Sequence, residues 1–180
     1  MVQIRIHGRG GQGVVTAAEL IAIAAFKTGK EAQAFPSFGV ERTGTPVESY
    51  ARIDDKPIIT REQIYTPDVL IIQDSTLLDT INLFNGCGKN TKIIINTAKS
   101  IDELKLKFPA KNIFTIDATK IALEIIGKNI INTIILGAFA KATDLISLAA
   151  LKEAVREKFQ EKGEEIIAKN IKAVEQTYLK

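Results

Sequence analysis

The sequence predicts an α/β fold: a Rossmann-like, mostly parallel sheet with flanking helices, an edge hairpin and a helical C-terminus. Three observations carry that expectation. Val69-Leu70-Ile71-Ile72, Ile93-Ile94-Ile95 and Ile113-Phe114-Thr115-Ile116 are continuous apolar runs, the pattern of strands buried on both faces. Helical or loop segments, 75–84 and 101–108, separate the runs, and such alternation builds a parallel sheet under covering helices. A glycine cluster joins an alternating N-terminal segment to a helical one.

The elements follow in order. Val2 to His7 alternates as a strand, with Val2, Ile4 and Ile6 as its apolar set. A helix is predicted from Val14 to about Thr28, with Val15, Ala18, Ala22, Ala25 and Phe26 at helical spacing and Gly29 as its stop. Glu31 to Phe35 reads as a short second strand that Pro36 ends, because proline has no N–H for a ladder. Two prolines and two glycines make 36–46 a loop. Val47 to Ile53 alternates again, Asp54-Asp55-Lys56-Pro57 reads as a turn, and Ile58-Ile59 as a returning strand. Pro57 puts that hairpin at a sheet edge. After the three buried strands, helices are predicted at 118–126, 133–142, 147–159 and 163–178. Ile167, Ile171, Val174 and Tyr178 form an apolar stripe on the last. No repeat and no linker divides the chain, so residues 1–180 are expected to form one domain.

Composition excludes several function classes. With 180 residues, 46% hydrophobic and 25% charged, the chain has enough apolar content for a core and too much for disorder. No stretch reaches membrane-spanning length, and no apolar signal core follows the N-terminus, so a cytoplasmic protein is expected. The 24 Lys and Arg against 21 Asp and Glu leave +3, scattered along the chain, which does not indicate nucleic acid. The single Cys87 makes no internal disulfide and cannot supply the four thiolates an iron–sulfur cluster usually takes. Flanked by Gly86 and Gly88, it reads as an incidental loop thiol. The single His7 excludes a multi-His metal site and reads as a packed side chain rather than a base. Redox chemistry would therefore need a bound organic cofactor or a partner chain.

Gly8-Arg9-Gly10-Gly11-Gln12-Gly13 contains G-x-G-x-x-G between a strand and a helix. Glycines permit a tight turn and close approach to bare backbone, and a helix start points free N–H groups at an anion. That makes a phosphate or carboxylate cradle one reading; close helix–strand packing alone is the other. A dinucleotide site needs an acid about 20 residues on, closing the second strand. Gln33 stands near that place and Glu31 would open the strand instead, which weakens an NAD site. A second loop, Ser37-Phe38-Gly39-Val40-Glu41-Arg42-Thr43-Gly44, carries a charged pair between glycines: an ordering or ligand-facing element, or a solvated turn. Asp74, Asn96-Thr97 and Asp117 each follow a buried strand, where the crevice of an open parallel sheet lies. Capping is favoured for Asp117, and Asp74 is equally suited to it.

Gly8-Arg9-Gly10-Gly11-Gln12-Gly13-Val14-Val15-Thr16-Ala17 together with Gln33-Ala34-Phe35-Pro36-Ser37-Phe38-Gly39-Val40-Glu41-Arg42 resembles the gamma subunits of the 2-oxoacid:ferredoxin oxidoreductases, closest to the pyruvate enzymes. The resemblance continues through Arg52-Ile53, Pro67-Asp68-Val69 and 73–78, with weaker echoes at Asn96-Thr97, Asp117-Ala118-Thr119 and Leu136-Gly137-Ala138. One departure is visible. The family commonly has Arg-Arg-Gly-Ala-Pro after the glutamate, and this chain has Arg42-Thr43-Gly44-Thr45-Pro46.

What the resemblance implies is a part of an enzyme that converts a 2-oxoacid, coenzyme A and oxidised ferredoxin to an acyl-CoA, CO2 and reduced ferredoxin. Thiamine diphosphate, Mg2+ and iron–sulfur clusters would serve the complex from other chains, the alpha, beta and ferredoxin-like delta subunits, and none would be bound by this chain alone. Its own role would be docking, and helping to shape the coenzyme A side with Gly8 to Gly13 and Ser37 to Gly44; no catalytic residue and no metal ligand is assigned. The rival readings are a free-standing NAD-dependent dehydrogenase and a small regulatory ligand-binding module.

Overall fold

The structure, a computed structural model, describes residues 1–37 and 42–180. Six strands form one sheet: β1 (Val2–Arg9), β2 (Glu31–Pro36), β3 (Pro46–Asp54), β4 (Val69–Ile72), β5 (Lys92–Asn96) and β6 (Ile113–Ile116). Their order is β2-β3-β1-β4-β5-β6. β4, β5 and β6 run parallel to β1, each paired to the next. β3 is antiparallel to both β1 and β2. The mixed sheet thus keeps a parallel half, as the three buried apolar runs predicted, and gains an antiparallel edge.

Five helices cover one face: α1 (Val14–Lys27), α3 (Ala118–Ile125), α4 (Ile135–Thr143), α5 (Leu148–Phe159) and α6 (Glu164–Tyr178). Their core joins Ile4, Ile6, Ile71 and Ile94 of the sheet to Leu20, Ile121, Phe139 and Val174 of the helices. The stripe on α6 is buried as expected at Ile167, Ile171 and Val174, and Tyr178 packs partly against the core. On the opposite face, short α2 (Ile101–Leu104) and loops cover the parallel half, where Leu70, Ile72, Ile93 and Ile95 meet Leu77 and Leu83.

Two expectations are corrected. Ile58-Ile59 forms no strand. A returning strand would need a free edge of β3, and both its edges are taken, by β1 and β2. The edge hairpin is instead β2 with β3, and Pro36 lies within β2, paired with Ser49, where the edge position leaves no donor missed. α1 buries Val14, Ala17, Ala18, Ile21 and Ala25, so Ala18 and Ala25 of the spaced set face the core while Phe26, 72% exposed, does not.

The antiparallel half has a different covering on the side away from α1. Arg5 and Arg52 are both buried, at 6% and 1% exposed. Their guanidinium groups hold backbone that has no regular structure of its own. Arg5 donates from Nη1 to Ile64 O at 3.3 Å and Tyr65 O at 3.4 Å, and from Nη2 to Leu83 O at 2.9 Å and Asn85 O at 2.6 Å. Arg52 donates to Glu62 O and, at 3.1 Å, to Gln33 Oε1, with Phe35 stacked 5.0 Å below it. Carbonyl dipoles rather than carboxylates receive both Arg5 Nη groups, while its buried Nε has no hydrogen-bond partner among the described residues.

Candidate functional site

The chain leaves β1 for the β2 edge, returns through β3, and enters β4 on the other side of β1. The switch between the two halves of the sheet therefore lies between β1 and β4, and the crevice outside the carboxyl ends of strands at such a point is where open α/β sheets bind ligands. A cavity of about 330 Å³ lies there, lined by Gln12, Gln73, Ser75, Asn96, Thr97 and Thr119, among others. Asp74 and Asp117 also border it.

The glycine loop stands at this crevice, and much of it is engaged by the chain itself. Gly10 N–H donates to Thr45 O at 2.9 Å, and Gly10 O accepts from Gly44 N at 3.0 Å. Arg9 N–H donates to Gln12 Oε1 at 2.8 Å, and Gln12 N–H to Arg9 O at 3.0 Å. A Cβ at Gly10 would lie 2.2 Å from Arg42 O, so only glycine admits the second loop so close. Gly13, at φ 70°, caps α1, and a Cβ there would strike Asn132 Nδ2 at 2.3 Å. The close-packing reading therefore holds for Gly10 and Gly13. Gly11 is exposed and open.

Arg9 ties three segments together. Its Nη1 donates to Gly44 O at 3.0 Å, its Nη2 to Thr76 Oγ1 at 2.8 Å, and its Nε lies 3.2 Å from Asp74 Oδ2. Asp74 also accepts from Gln12 Nε2 at 2.9 Å and from Thr76 N at 3.0 Å, capping the short 3-10 turn Ser75–Asp79. Burial works to raise the Asp74 pKa, but the bonds from Thr76 and Gln12 and the Arg9 charge outweigh it and hold the carboxyl below its ordinary range. Asp117 caps α3 through Lys120 N, as expected. Asn96 is fully engaged: Nδ2 donates to Gln73 O and Thr119 Oγ1, both at 2.9 Å, and Oδ1 accepts from Thr119 N.

The structure thus brings together Gly8 to Gly13 with Arg42, Thr43 and Gly44. Ser37 is held apart from them, its N–H on Glu48 O and its Oγ accepting from Gln63 Nε2. The candidates Phe38, Gly39 and Glu41 lie outside the described residues. Two residues that sequence reasoning did not single out belong to the site. Gln73, 1% exposed, sits where the buried run of β4 ends at the crevice; Asn132 leans on the α1 N-terminus from the far end of the chain. The first had a signal, a polar residue directly after a buried run; the second had none.

His7 closes β1 beside the loop. It is buried, and its Nε2 lies 3.6 Å from Glu48 Oε2, too far for a hydrogen bond. The Glu48 carboxylate instead accepts from Tyr50 OH at 2.6 Å. Burial, then the Arg5 charge, lowers the His7 pKa to about 3. The neutral ring is a packed side chain, as expected. An unfolded chain takes up a proton at this ring near pH 6.5, while the folded chain refuses it down to about pH 3. Stability at His7 is therefore complete above about pH 6.5 and falls as pH drops through that window, by about 1.4 kcal/mol per pH unit. Urea unfolding of wild type and His7→Gln between pH 7 and 5 should show the slope in the first and its loss in the second.

The dinucleotide reading fails on topology. Antiparallel β3 occupies the place beside β1, and β2 is displaced one strand outward. Gln33, near the place of the ribose-binding acid, accepts from Arg52. Similarity to known proteins points elsewhere. Residues 3–179 match the family described as pyruvate ferredoxin/flavodoxin oxidoreductase. The pyruvate/ketoisovalerate oxidoreductases common subunit gamma of Thermococcus kodakarensis is 52% identical over an alignment of 182 residues, covering 100% of this chain and 97% of that one. The crystal structure of pyruvate oxidoreductase subunit PORC from Thermotoga maritima superposes with a TM-score of 0.86 at 34% identity, covering 99% of this chain and 96% of that one. The 2-oxoglutarate:ferredoxin oxidoreductase of Magnetococcus marinus, solved with 2-oxoglutarate, coenzyme A and succinyl-CoA bound, superposes at 0.77 and 25% identity; 99% of this chain covers 30% of that one.

Proposed function

The chain belongs to the pyruvate ferredoxin/flavodoxin oxidoreductase family, and we propose that it serves as the gamma subunit of a pyruvate-type 2-oxoacid:ferredoxin oxidoreductase, residues 1–180 forming one gamma-type domain. The complex would convert a 2-oxoacid, coenzyme A and oxidised ferredoxin to acyl-CoA, CO2 and reduced ferredoxin. The observation that carries this is the 52% identity along the whole chain to a gamma subunit of pyruvate and ketoisovalerate oxidoreductases. A subunit common to two oxoacid enzymes also supports placing substrate choice on other chains.

The metal-bearing cofactors of such a complex would be held by its other chains. Among the described residues no group of three or more His, Cys, Asp or Glu side chains could hold a metal ion, and Cys87 is the single cysteine of the sequence. Iron–sulfur clusters and the Mg2+ of thiamine diphosphate would sit on the alpha, beta and ferredoxin-like delta subunits. No helix among the described residues is long and apolar enough to cross a membrane, which suits a cytoplasmic complex.

The chain's own part is positional. Arg9 and Gly10 fix the second loop against the switch-point crevice, and coenzyme A would meet that edge. Arg42 is exposed there, its backbone held by Thr45. Arg42→Ala should raise the KM for coenzyme A several-fold, or weaken assembly, with kcat kept; unchanged assembly and KM remove Arg42 from the site. The test of the whole reading is anaerobic purification of the tagged chain from its native cells, with mass spectrometry of its companions. A stoichiometric set that includes a cysteine-rich ferredoxin-like chain supports the subunit; a clean monomer or homo-oligomer overturns it.

A further inference from the structure

Among the described residues the sheet ends at β6, and that edge is open. In the ladder with β5, Ile116 O accepts from Thr97 N at 2.9 Å, so Ile116 and, two residues back, Phe114 turn their N–H and C=O groups toward β5. The backbone groups of Ile113 and Thr115 face the other way. Ile113 N–H is taken by Ala110 O in the preceding turn. Thr115 N–H, Thr115 C=O and Ile113 C=O are left at the edge, where no described strand pairs with them. Such a row of groups is a template for one more strand.

The two covering layers reach past this edge and leave a groove of about 420 Å³ between them. Phe114, Thr115 and Ile116 line it from β6, with Ile101 from one face of the sheet and Ala138 and Ala142 from the other. Residues packed on opposite faces share a cavity only around the end of the sheet, so the groove runs along β6. Its charge has one sign. Lys141 and Lys180 line it and no Asp or Glu does. Lys141 lies over the Tyr178 ring, 5.5 Å from its centroid. Lys92, the first residue of β5, brings another ammonium, donating to Ala142 O at 2.7 Å. The charge near Lys92 and Lys141 thus lies toward the amino ends of the strands, away from the crevice at their carboxyl ends. A second copy of this chain would set its own lysines against these, which disfavours a symmetric pair of β6 edges. An acidic segment is favoured by the same charges.

We propose that the β6 edge is an interface at which an extended segment of a partner chain, apolar with a carboxylate toward Lys141, adds a seventh strand to the six of this sheet. Thr115 N–H, Thr115 C=O and Ile113 C=O make the main-chain bonds, which any sequence can answer. Selection comes from the walls: alternate side chains of the incoming strand meet Ile101 on one side and Ala138 and Ala142 on the other, and the carboxylate meets Lys141. The inference deepens the gamma-subunit reading and rests on it for the existence of a partner chain.

Hydrogen exchange on the purified complex, resolved to single residues, tests the edge. A bare edge leaves the Thr115 amide to exchange fast, and an added strand should slow it about a hundredfold. Carbodiimide, which joins an amine to a carboxylate in contact with it, tests the occupant: mass spectrometry should find Lys141 coupled to an Asp or Glu in an apolar segment of another chain. Lys141→Glu should abolish that coupling and speed exchange at Thr115 roughly tenfold, while the Ile71 and Ile94 amides keep their rates, which separates a lost contact from a lost fold. Thr115→Pro, which removes an N–H that the ladder to β5 does not use, should loosen the same partner chain. Fast exchange at Thr115 in an intact complex overturns the proposal, whether the groove then holds a small molecule or only water. So does coupling of Lys141 to a second copy of this chain, or slow exchange that Lys141→Glu leaves unchanged. A chain that purifies without companions overturns this inference and the subunit reading together, whereas a complex with a bare β6 edge sinks the inference alone.

Discussion

Gly10→Ala is expected to part the two loops without unfolding the sheet. The added methyl would lie 2.2 Å from Arg42 O and 3.0 Å from the Arg42 carbonyl carbon, both backbone atoms that no rotamer change can move. Arg42 O is itself fixed, accepting from Thr45 N at 3.1 Å and Thr45 Oγ1 at 2.7 Å. The strain is relieved only by separation. That breaks Gly10 N–Thr45 O and Gly44 N–Gly10 O, and draws Gly44 O away from Arg9. Three hydrogen bonds at about 1 kcal/mol each put the local cost near 3 kcal/mol. The core on either face is untouched, so the effect is local opening. Hydrogen exchange is the measurement: the Gly10 and Gly44 amides should exchange roughly a hundredfold faster, while those of Ile71 and Ile94 keep their rates. Gly11→Ala is the contrast. It has a positive φ of 92° but only Thr43 Cγ2 within 4 Å, at 3.9 Å, so its cost is backbone strain of about 1 kcal/mol without loop separation. Equal exchange at Gly10 and Gly44 in Gly10→Ala and wild type would show that the loops are not coupled through this contact.

The contrast between these glycines marks where sequence reasoning reached and where it stopped. The parallel half of the sheet was legible, because strands buried on both faces write themselves as unbroken apolar runs. The glycine loop was legible as a strand–helix turn. Its role was not, because the pattern is the same whether a ligand or the chain's own loop approaches the backbone. Here it is Arg42 O, 32 residues away, that packs against Gly10, 2.2 Å from where a Cβ would stand. The β3 return strand was misread because a turn followed by Ile58-Ile59 is a sound local signal; that both edges of β3 were occupied is a property of the whole sheet. α1 was placed correctly, but its alanines are apolar all round and give a weak stripe, so helical spacing alone did not single out the buried face.

Arg5→Met is expected to be the most damaging substitution. Alternation along β1 gives Val2, Ile4 and Ile6 one face, and the intervening Arg5 would ordinarily be a solvent residue. It is instead 6% exposed, and its guanidinium is the hub of two segments with no regular structure. Sequence separations of 59 and 78 residues, to Ile64 and Leu83, show how much chain one side chain closes. Methionine matches the aliphatic stem and keeps the packing, so what is lost is the donor set. Ile64 O and Leu83 O are buried and cannot turn to water, and each unmade bond to a buried acceptor costs about 1–3 kcal/mol. Tyr65 O and Asn85 O are only partly buried and recover part of their loss through solvent. The expected total is about 3 to 5 kcal/mol, a large share of the 5–15 kcal/mol that holds an ordinary domain. Urea unfolding should show it as a fall in midpoint. Arg5→Lys tests the geometry behind the number: one ammonium cannot reach carbonyls from two segments at once, so it should restore less than half of the loss. Full recovery with lysine would mean that the charge, rather than the planar fork between Ile64 and Leu83, is what this position needs.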